Sequence, residues 1–175
     1  MNRRHFGLLE ASGQLITLTV FTVGILENRL VWAPQTSPLL RVVGGVLVAA
    51  GFALTGWAMG ANPHFSAAMS LSQRGHRLVR SGPYRFVRHP GYAGFIASWL
   101  GAPLLLGSLW ALVPSLLGSL LTVWRTSVED SILQEELPGY ADYAESVGFR
   151  LIPCVWQRGL RSRDSPGPLH WRSEK

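Results

Sequence analysis

The densest run of chemically capable side chains in this 175-residue chain is Gly75-His-Arg-Leu-Val-Arg-Ser-Gly-Pro-Tyr-Arg-Phe-Val-Arg-His-Pro-Gly-Tyr92. Ser81-Gly82-Pro83 signals a turn, and Pro90 suits the first turn of a following helix with His89 just outside it. Arg88 and His89 would then stand at a helix N-terminus, where unpartnered backbone N–H groups already attract an anion. A carboxylate or a phosphate fits that seat. Tyr84 and Tyr92 set aromatic faces beside it, on which a planar ring could stack.

A second cluster, Arg125-Thr-Ser-Val-Glu129-Asp130-Ser-Ile-Leu-Gln-Glu135-Glu136, ends at Pro138-Gly139. On one continuous helix Arg125, Glu129, Ile132, Leu133 and Glu136 share a face, and Arg125 can pair with Glu129 four residues on. Glu135 and Glu136 read as a solvated helix face. If the two clusters meet, basic Arg88 and His89 confront acidic Glu129 and Asp130 across a small site. The same meeting also admits a purely structural account, in which the charges neutralise one another. For Arg74, Arg77 and Arg80 the plainer reading is topology, with arginines holding a loop inside and touching lipid phosphates.

Several chemistries fail on inventory. No GxGxxG follows a strand, no P-loop is present, and no nucleophile elbow occurs. Of the five histidines, His5 and His170 lie near the ends, while His64, His76 and His89 lack metal-ligand spacing. Cys154 is the single cysteine, so no intramolecular disulfide and no cysteine-based zinc site can form. Basic residues interleaved with aromatics are confined to loops beside apolar segments, which argues against nucleic acid as a partner.

The elements that must position these clusters are membrane helices. Charged residues make up 15% of the chain, against roughly 25% in an ordinary soluble domain, and mean hydropathy is +0.19. Residues 42–73 and 89–124, runs of 32 and 36 residues, contain no Asp, Glu, Lys or Arg. The composition therefore predicts an all-α, polytopic transmembrane bundle of about four spans, at 12–30, 39–60, 92–107 and 109–125. The last two form a hairpin through Gly107 and Ser108. Their 36 uncharged residues give roughly 54 Å of helix, slightly less than two crossings of a core about 30 Å thick. A cytoplasmic helix is expected beyond the hairpin. Gly56 and Gly60 form a GxxxG, and Gly94, Ser98 and Ala102 repeat small residues, either of which would let backbones approach closely.

Topology follows from the arginines, which are 15 of the 16 basic residues. Arg3 and Arg4 precede the first span, the connector 74–88 holds five, and the tail after Arg125 is rich in them, whereas 32–38 and the Gly107 turn have none. This predicts that both termini and the 74–88 connector face the cytoplasm; the expected location is the plasma (inner) membrane. Arg3 and Arg4 before an apolar run also resemble a signal peptide, but its cleavage would leave three spans and break the alternation. Residues 157–175, with Arg161, Arg163, Pro166 and Pro168, read as a mobile basic tail. The chain divides into N-terminal membrane helices at 1–60, a catalytic region at 61–156 and that tail.

The segment from His76 to Tyr92, the apolar hairpin, Arg125 to Asp130, Gly139-Tyr140-Ala-Asp-Tyr143 and Arg150-Leu-Ile-Pro153 together resemble the isoprenylcysteine carboxyl methyltransferase family, which is related to the phospholipid methyltransferases. The resemblance covers about 65–156. It implies a small integral membrane enzyme that uses S-adenosylmethionine, bound near the cytoplasmic ends of the last helices. It further implies that the segment Arg88, His89, Pro90, Gly91 and Tyr92 and the acidic pair Glu129 and Asp130 help form the cofactor pocket; Tyr84 is expected to stack on the adenine beside them, and Arg125 and Glu129 are the expected catalytic residues. The family's acidic pair is usually Glu-Glu, and Asp130 is one methylene shorter.

A sulfonium methyl is already activated, so such a protein mainly aligns a nucleophile, holds both partners and excludes water. The partners implied are membrane lipids and a lipophilic or small methyl acceptor, whether carboxylate, amine or thiol. Oligomeric state is not written in the sequence. Two other classes compete: a sterol-reductase-type enzyme using NADPH, which shares an Arg-His-Pro-x-Tyr element, and a non-catalytic membrane assembly protein. Gly91 before Tyr92, and Phe95 after Gly94, depart from the reductase pattern.

Overall fold

The computed structural model describes residues 3–29, 36–62, 78–153 and 155–157. Its elements are helices α1 (Arg3–Arg29), α2 (Pro38–Ala61), α3 (Pro90–Leu106), α4 (Leu112–Glu136) and α5 (Tyr140–Ser146). A 3-10 turn (Gly82–Arg85) precedes α3, and two short strands, β1 (Phe149–Ile152) and β2 (Val155–Gln157), close the described chain. Each stretch read as a span overlaps one of the first four helices, although the helices run past the expected ends, α1 by nine residues at its start and α4 by eleven at its end. Their ends follow local chemistry. Ser37 accepts a hydrogen bond from the backbone N–H of Leu40, and Pro38 opens α2. Pro90 opens α3 with His89 at its N-cap, and Gly107, at φ 74°, ends it in the left-handed region that favours glycine.

Helices α2 and α3 are packed backbone against backbone. A methyl group added at Gly101 would lie 2.7 Å from the carbonyl oxygen of Gly44 and 2.9 Å from the backbone nitrogen of Val48. One added at Gly94 would meet the carbonyl oxygen of Gly51 at 2.6 Å, and Gly44 and Gly51 are equally filled by α3. The small residues Gly94, Ser98 and Ala102 do lie along this contact or beside it, as the sequence suggested. Gly56 and Gly60 do not: a methyl group added at either would meet nothing within 4 Å among the described residues. The seam on α2 instead runs through Gly44, Gly51, Thr55 and Ala58, all buried. These spacings of seven, four and three residues keep one face of a helix toward its neighbour.

Helix α4 has the polarity of a soluble helix turned inside out. Its buried face carries Ser115, Gly118, Ser119, Thr122 and Thr126, while Val113, Leu116, Leu117, Leu120, Leu121 and Trp124 are exposed. Small and hydroxylated residues at helix contacts with large apolar ones outside suit a lipid surround, where packing rather than water exclusion draws helices together. The hydroxyls return hydrogen bonds to their own helix, Thr122 to Gly118 and Thr126 to Thr122. Ser115 crosses to the carbonyl oxygen of Trp99.

Taken helix by helix, α2 is long and apolar enough to cross a membrane, with 24 residues and a mean hydropathy of 1.9 over its most apolar stretch. Helix α3 is apolar but has 17 residues. Helices α1 and α4 have the length, at 27 and 25 residues, but include charged residues, among them Glu10 and Glu27 in α1 and Arg125, Glu129 and Asp130 in α4.

The far end of α3 is tied down by a buried carboxylate. Glu27, near the end of α1, accepts the Ser108 hydroxyl and the backbone N–H groups of Leu109 (3.3 Å) and Trp110 (3.0 Å). Glu27, an acidic residue near the end of the first expected span, thus holds the turn leading into α4.

The all-α expectation needs one amendment, the antiparallel pair β1–β2. With four and three residues these strands are too short for alternation to show. A fifth, short helix, α5, follows α4. His64, Arg74, His76, Arg77, Cys154, Arg161, Arg163 and nearly all of the expected tail lie outside the described residues.

Candidate active site

Strand β1 holds the main chain of the Arg-His pair. The backbone N–H of Arg88 donates to the carbonyl oxygen of Phe149 (3.0 Å) and that of His89 to the carbonyl oxygen of Arg150 (2.9 Å). Residues 88 and 89 therefore lie along β1 before Pro90 turns the chain into α3. The connector is fastened to the C-terminal segment at three further points. Arg80 donates to the carbonyl oxygen of Gly139 (2.9 Å), Arg88 Nη1 to that of Ala144 (3.2 Å), and the Tyr143 hydroxyl to that of Tyr84.

The side chains converge on Asp130, which is fully buried. Its Oδ1 lies 3.2 Å from Arg88 Nε as an ion pair and 3.3 Å from His89 Nε2, and accepts the Tyr140 hydroxyl at 2.9 Å. Its Oδ2 accepts from Arg150 Nε at 3.0 Å and Gln134 Nε2 at 2.9 Å. Burial pushes the Asp130 carboxyl up, but hydrogen bonding and charge from His89, the Arg88 guanidinium and the Tyr140 hydroxyl outweigh it and bring the value down to about 2. Asp130 is thus an ionised anchor. Desolvation raises Tyr140 and Tyr143 well above the ordinary phenol value, and Tyr84 less far, so all three remain neutral hydroxyls.

Glu129, one residue earlier on α4, points elsewhere. It is buried and accepts the Tyr92 hydroxyl at Oε2, 2.7 Å away. The Tyr92 ring stacks on His89, with centroids 5.9 Å apart, and the Arg125 guanidinium lies 5.4 Å from its centroid.

Between these groups lies a partly open cleft. Tyr84, Arg88, His89, Pro90, Tyr92 and Glu129 line it, so the structure brings together six of the residues that the sequence singled out. Asp130 sits behind this wall rather than on it, and Arg125 lies beyond Tyr92. Leu78, Val79, Leu133 and Leu137 form an apolar side, and Asn62, Tyr140 and Tyr143 complete the lining. Arg88 is 3% exposed, and neither its Nε nor its Nη2 has a hydrogen-bond partner among the described residues. A buried guanidinium nitrogen without an acceptor on a cleft wall is costly unless a ligand oxygen fills the vacant position.

Sequence reasoning gave no role to Tyr140, Tyr143 or Arg150 individually, although the motifs Gly139 to Tyr143 and Arg150 to Pro153 were part of the resemblance. The available signal was an aromatic pair three residues apart, which a seven-residue helix aims at one side. Asn62 carried no signal beyond its place after an apolar helix.

Comparison with curated proteins gives no match. The sequence model of the phospholipid methyltransferase family matches residues 39–138, from the start of α2 to the end of α4. That stretch is more than half of the chain and contains the connector, the Arg-His pair and both acids. Members of this family are membrane methyltransferases that generally use S-adenosylmethionine, and the chain belongs to the phospholipid methyltransferase family.

Proposed function

We propose that the protein transfers a methyl group from S-adenosylmethionine to a lipophilic or small acceptor at the cytoplasmic face of a membrane. The observation that carries this reading is the incompletely satisfied Arg88 guanidinium on the same cleft as the Glu129 carboxylate. A molecule with both a carboxylate and an ammonium group complements that pair. Arg88 would hold the carboxylate, Glu129 the ammonium or the ribose hydroxyls, and the faces of Tyr84 and Tyr92 the adenine. When bound, S-adenosylmethionine supplies an activated methyl group on sulfonium sulfur. The protein's part is orientation and water exclusion, to which the apolar side of the cleft and the neutral tyrosines contribute. Asp130 acts from behind, holding Arg88 and His89 in place.

In this reading α1 to α4 cross the membrane, with α3 and α4 as a hairpin, and both termini lie with the cleft on the cytoplasmic side. The exposed apolar face of α4 and the arginine-rich connector support that arrangement. The acceptor enters over Leu78, Val79, Leu133 and Leu137. The test is transfer of labelled methyl from S-adenosylmethionine into a membrane extract by the purified protein, with identification of the product. Label in a lipophilic or small acceptor is expected. Retention of NADPH in place of S-adenosylmethionine, or of neither, would overturn the reading.

A further inference from the structure

We propose that Arg150, on β1 and outside the matched stretch 39–138, is a positioning residue that sets how strongly Arg88 attracts an anion in the cleft. The inference rests on the methyl-donor reading above.

Strand β1 acts on the Arg-His pair twice. Its carbonyl oxygens, from Phe149 and Arg150, fix the main chain of Arg88 and His89. Its one long basic side chain then reaches Asp130, the carboxylate that the side chains of Arg88 and His89 also share. Arg150 is buried, and its Nη1 donates to Ser127 Oγ at 3.3 Å. The guanidinium is therefore braced on α4 one turn before the carboxylate that it holds.

The two oxygens of Asp130 have separate duties. Oδ2 belongs to Arg150 and Gln134, while Oδ1 serves Arg88, His89 and Tyr140. With Oδ2 pinned, the carboxylate cannot rotate to take Arg88 bidentately, so Arg88 keeps a nitrogen for another acceptor. Charge adds to the geometry. One carboxylate shared between two guanidinium groups leaves a positive excess beside the cleft, and an arriving carboxylate completes the neutralisation. Without Arg150, Asp130 would neutralise Arg88 alone and the attraction would fall.

The test uses the full chain in detergent, with S-adenosylhomocysteine as the probe, its affinity read by calorimetry and folding read by thermal unfolding. Arg150→Gln is expected to weaken binding about tenfold and to raise the KM for S-adenosylmethionine with kcat nearly unchanged. Arg150→Lys should recover part of the loss. In an Asp130→Asn background the Arg150 substitution should have little further effect, because its route has been removed. If Arg150→Gln does not fold, Arg150→Lys, expected to unfold at the wild-type midpoint but bind severalfold more weakly, carries the test alone. Wild-type protein that does not bind the probe would remove the methyl-donor reading and this inference together. A wild type that binds, with unchanged affinity in the Arg150 variants or losses strictly additive with Asp130→Asn, would overturn this inference alone.

Discussion

The Tyr92 hydroxyl donates to Glu129 across 2.7 Å, joining the first turn of α3 to the polar extension of α4. Two residues 37 positions apart in sequence, separated by the whole apolar turn-back, thereby form one wall of the cleft. Glu129 keeps its carboxylate while Tyr92 fixes its direction, as a site for a cationic or hydroxyl-bearing ligand requires.

Removing that carboxylate's charge should weaken donor binding without unfolding the protein. Glu129→Gln is expected to cost about tenfold in affinity for S-adenosylmethionine, and Tyr92→Phe a smaller factor, since it removes only the orienting hydroxyl. His89→Ala should also weaken binding. Calorimetry with detergent-solubilised variants, checked for an intact unfolding transition, measures each. Unchanged affinity in both Glu129→Gln and His89→Ala would remove the site assignment.

The Asp130 anchor gives a pH signature. Its carboxyl sits at about 2 in the folded chain, against roughly 3.9 unfolded, so the folded state favours the ionised form. That contribution, about 2 kcal/mol, is present above pH 4 and is lost as pH falls through 4 toward 2. The unfolding midpoint should drop across that window. Asp130→Asn should abolish this part of the pH dependence and lower stability at neutral pH, because Arg88 and Arg150 then share no carboxylate. An unaltered acid profile in Asp130→Asn would contradict the assignment.

The α2–α3 seam distinguishes two kinds of glycine. Gly101→Ala puts a methyl group 2.7 Å from the carbonyl oxygen of Gly44 and should destabilise by about 1–3 kcal/mol. Gly56→Ala meets nothing within 4 Å among the described residues and should be neutral or gain up to about 1 kcal/mol from helix propensity. Thermal unfolding of the two variants side by side would show whether the seam lies where the structure puts it.

At the opposite end of α3, Glu27→Ala strips acceptors from the Ser108 hydroxyl and from two backbone N–H groups. The expected cost is about 1–3 kcal/mol of stability. Donor affinity should hold, because none of these groups lines the cleft. A loss of binding without a loss of stability would contradict this structural role.

Much of the fold was legible because long uncharged runs and helix-start prolines are local signals. Pro38 and Pro90 mark helix starts wherever the rest of the chain lies. The site was legible in part, because Arg88, His89, Glu129 and Asp130 are unusual residues beside apolar segments. What could not be read was the division of labour between the two acids. Adjacent positions on a helix point about 100° apart, and only packing decides that Glu129 faces the cleft while Asp130 faces inward. Arg150 was hidden for another reason: its partner lies 20 residues away, across a turn, a short helix and a strand too brief to show a period. The GxxxG misled because Gly56 and Gly60 satisfy a spacing rule on a face that α3 does not touch.

The most direct test of the central claim is the affinity of purified protein for S-adenosylmethionine, compared between wild type and Arg88→Lys. Lysine keeps the charge but loses the forked donors, so the orphaned Nη2 is removed while Asp130 retains a cation. Wild type should bind and Arg88→Lys should bind about tenfold or more weakly with its fold intact. Equal affinity in the two proteins, or no binding by wild type, would contradict the account.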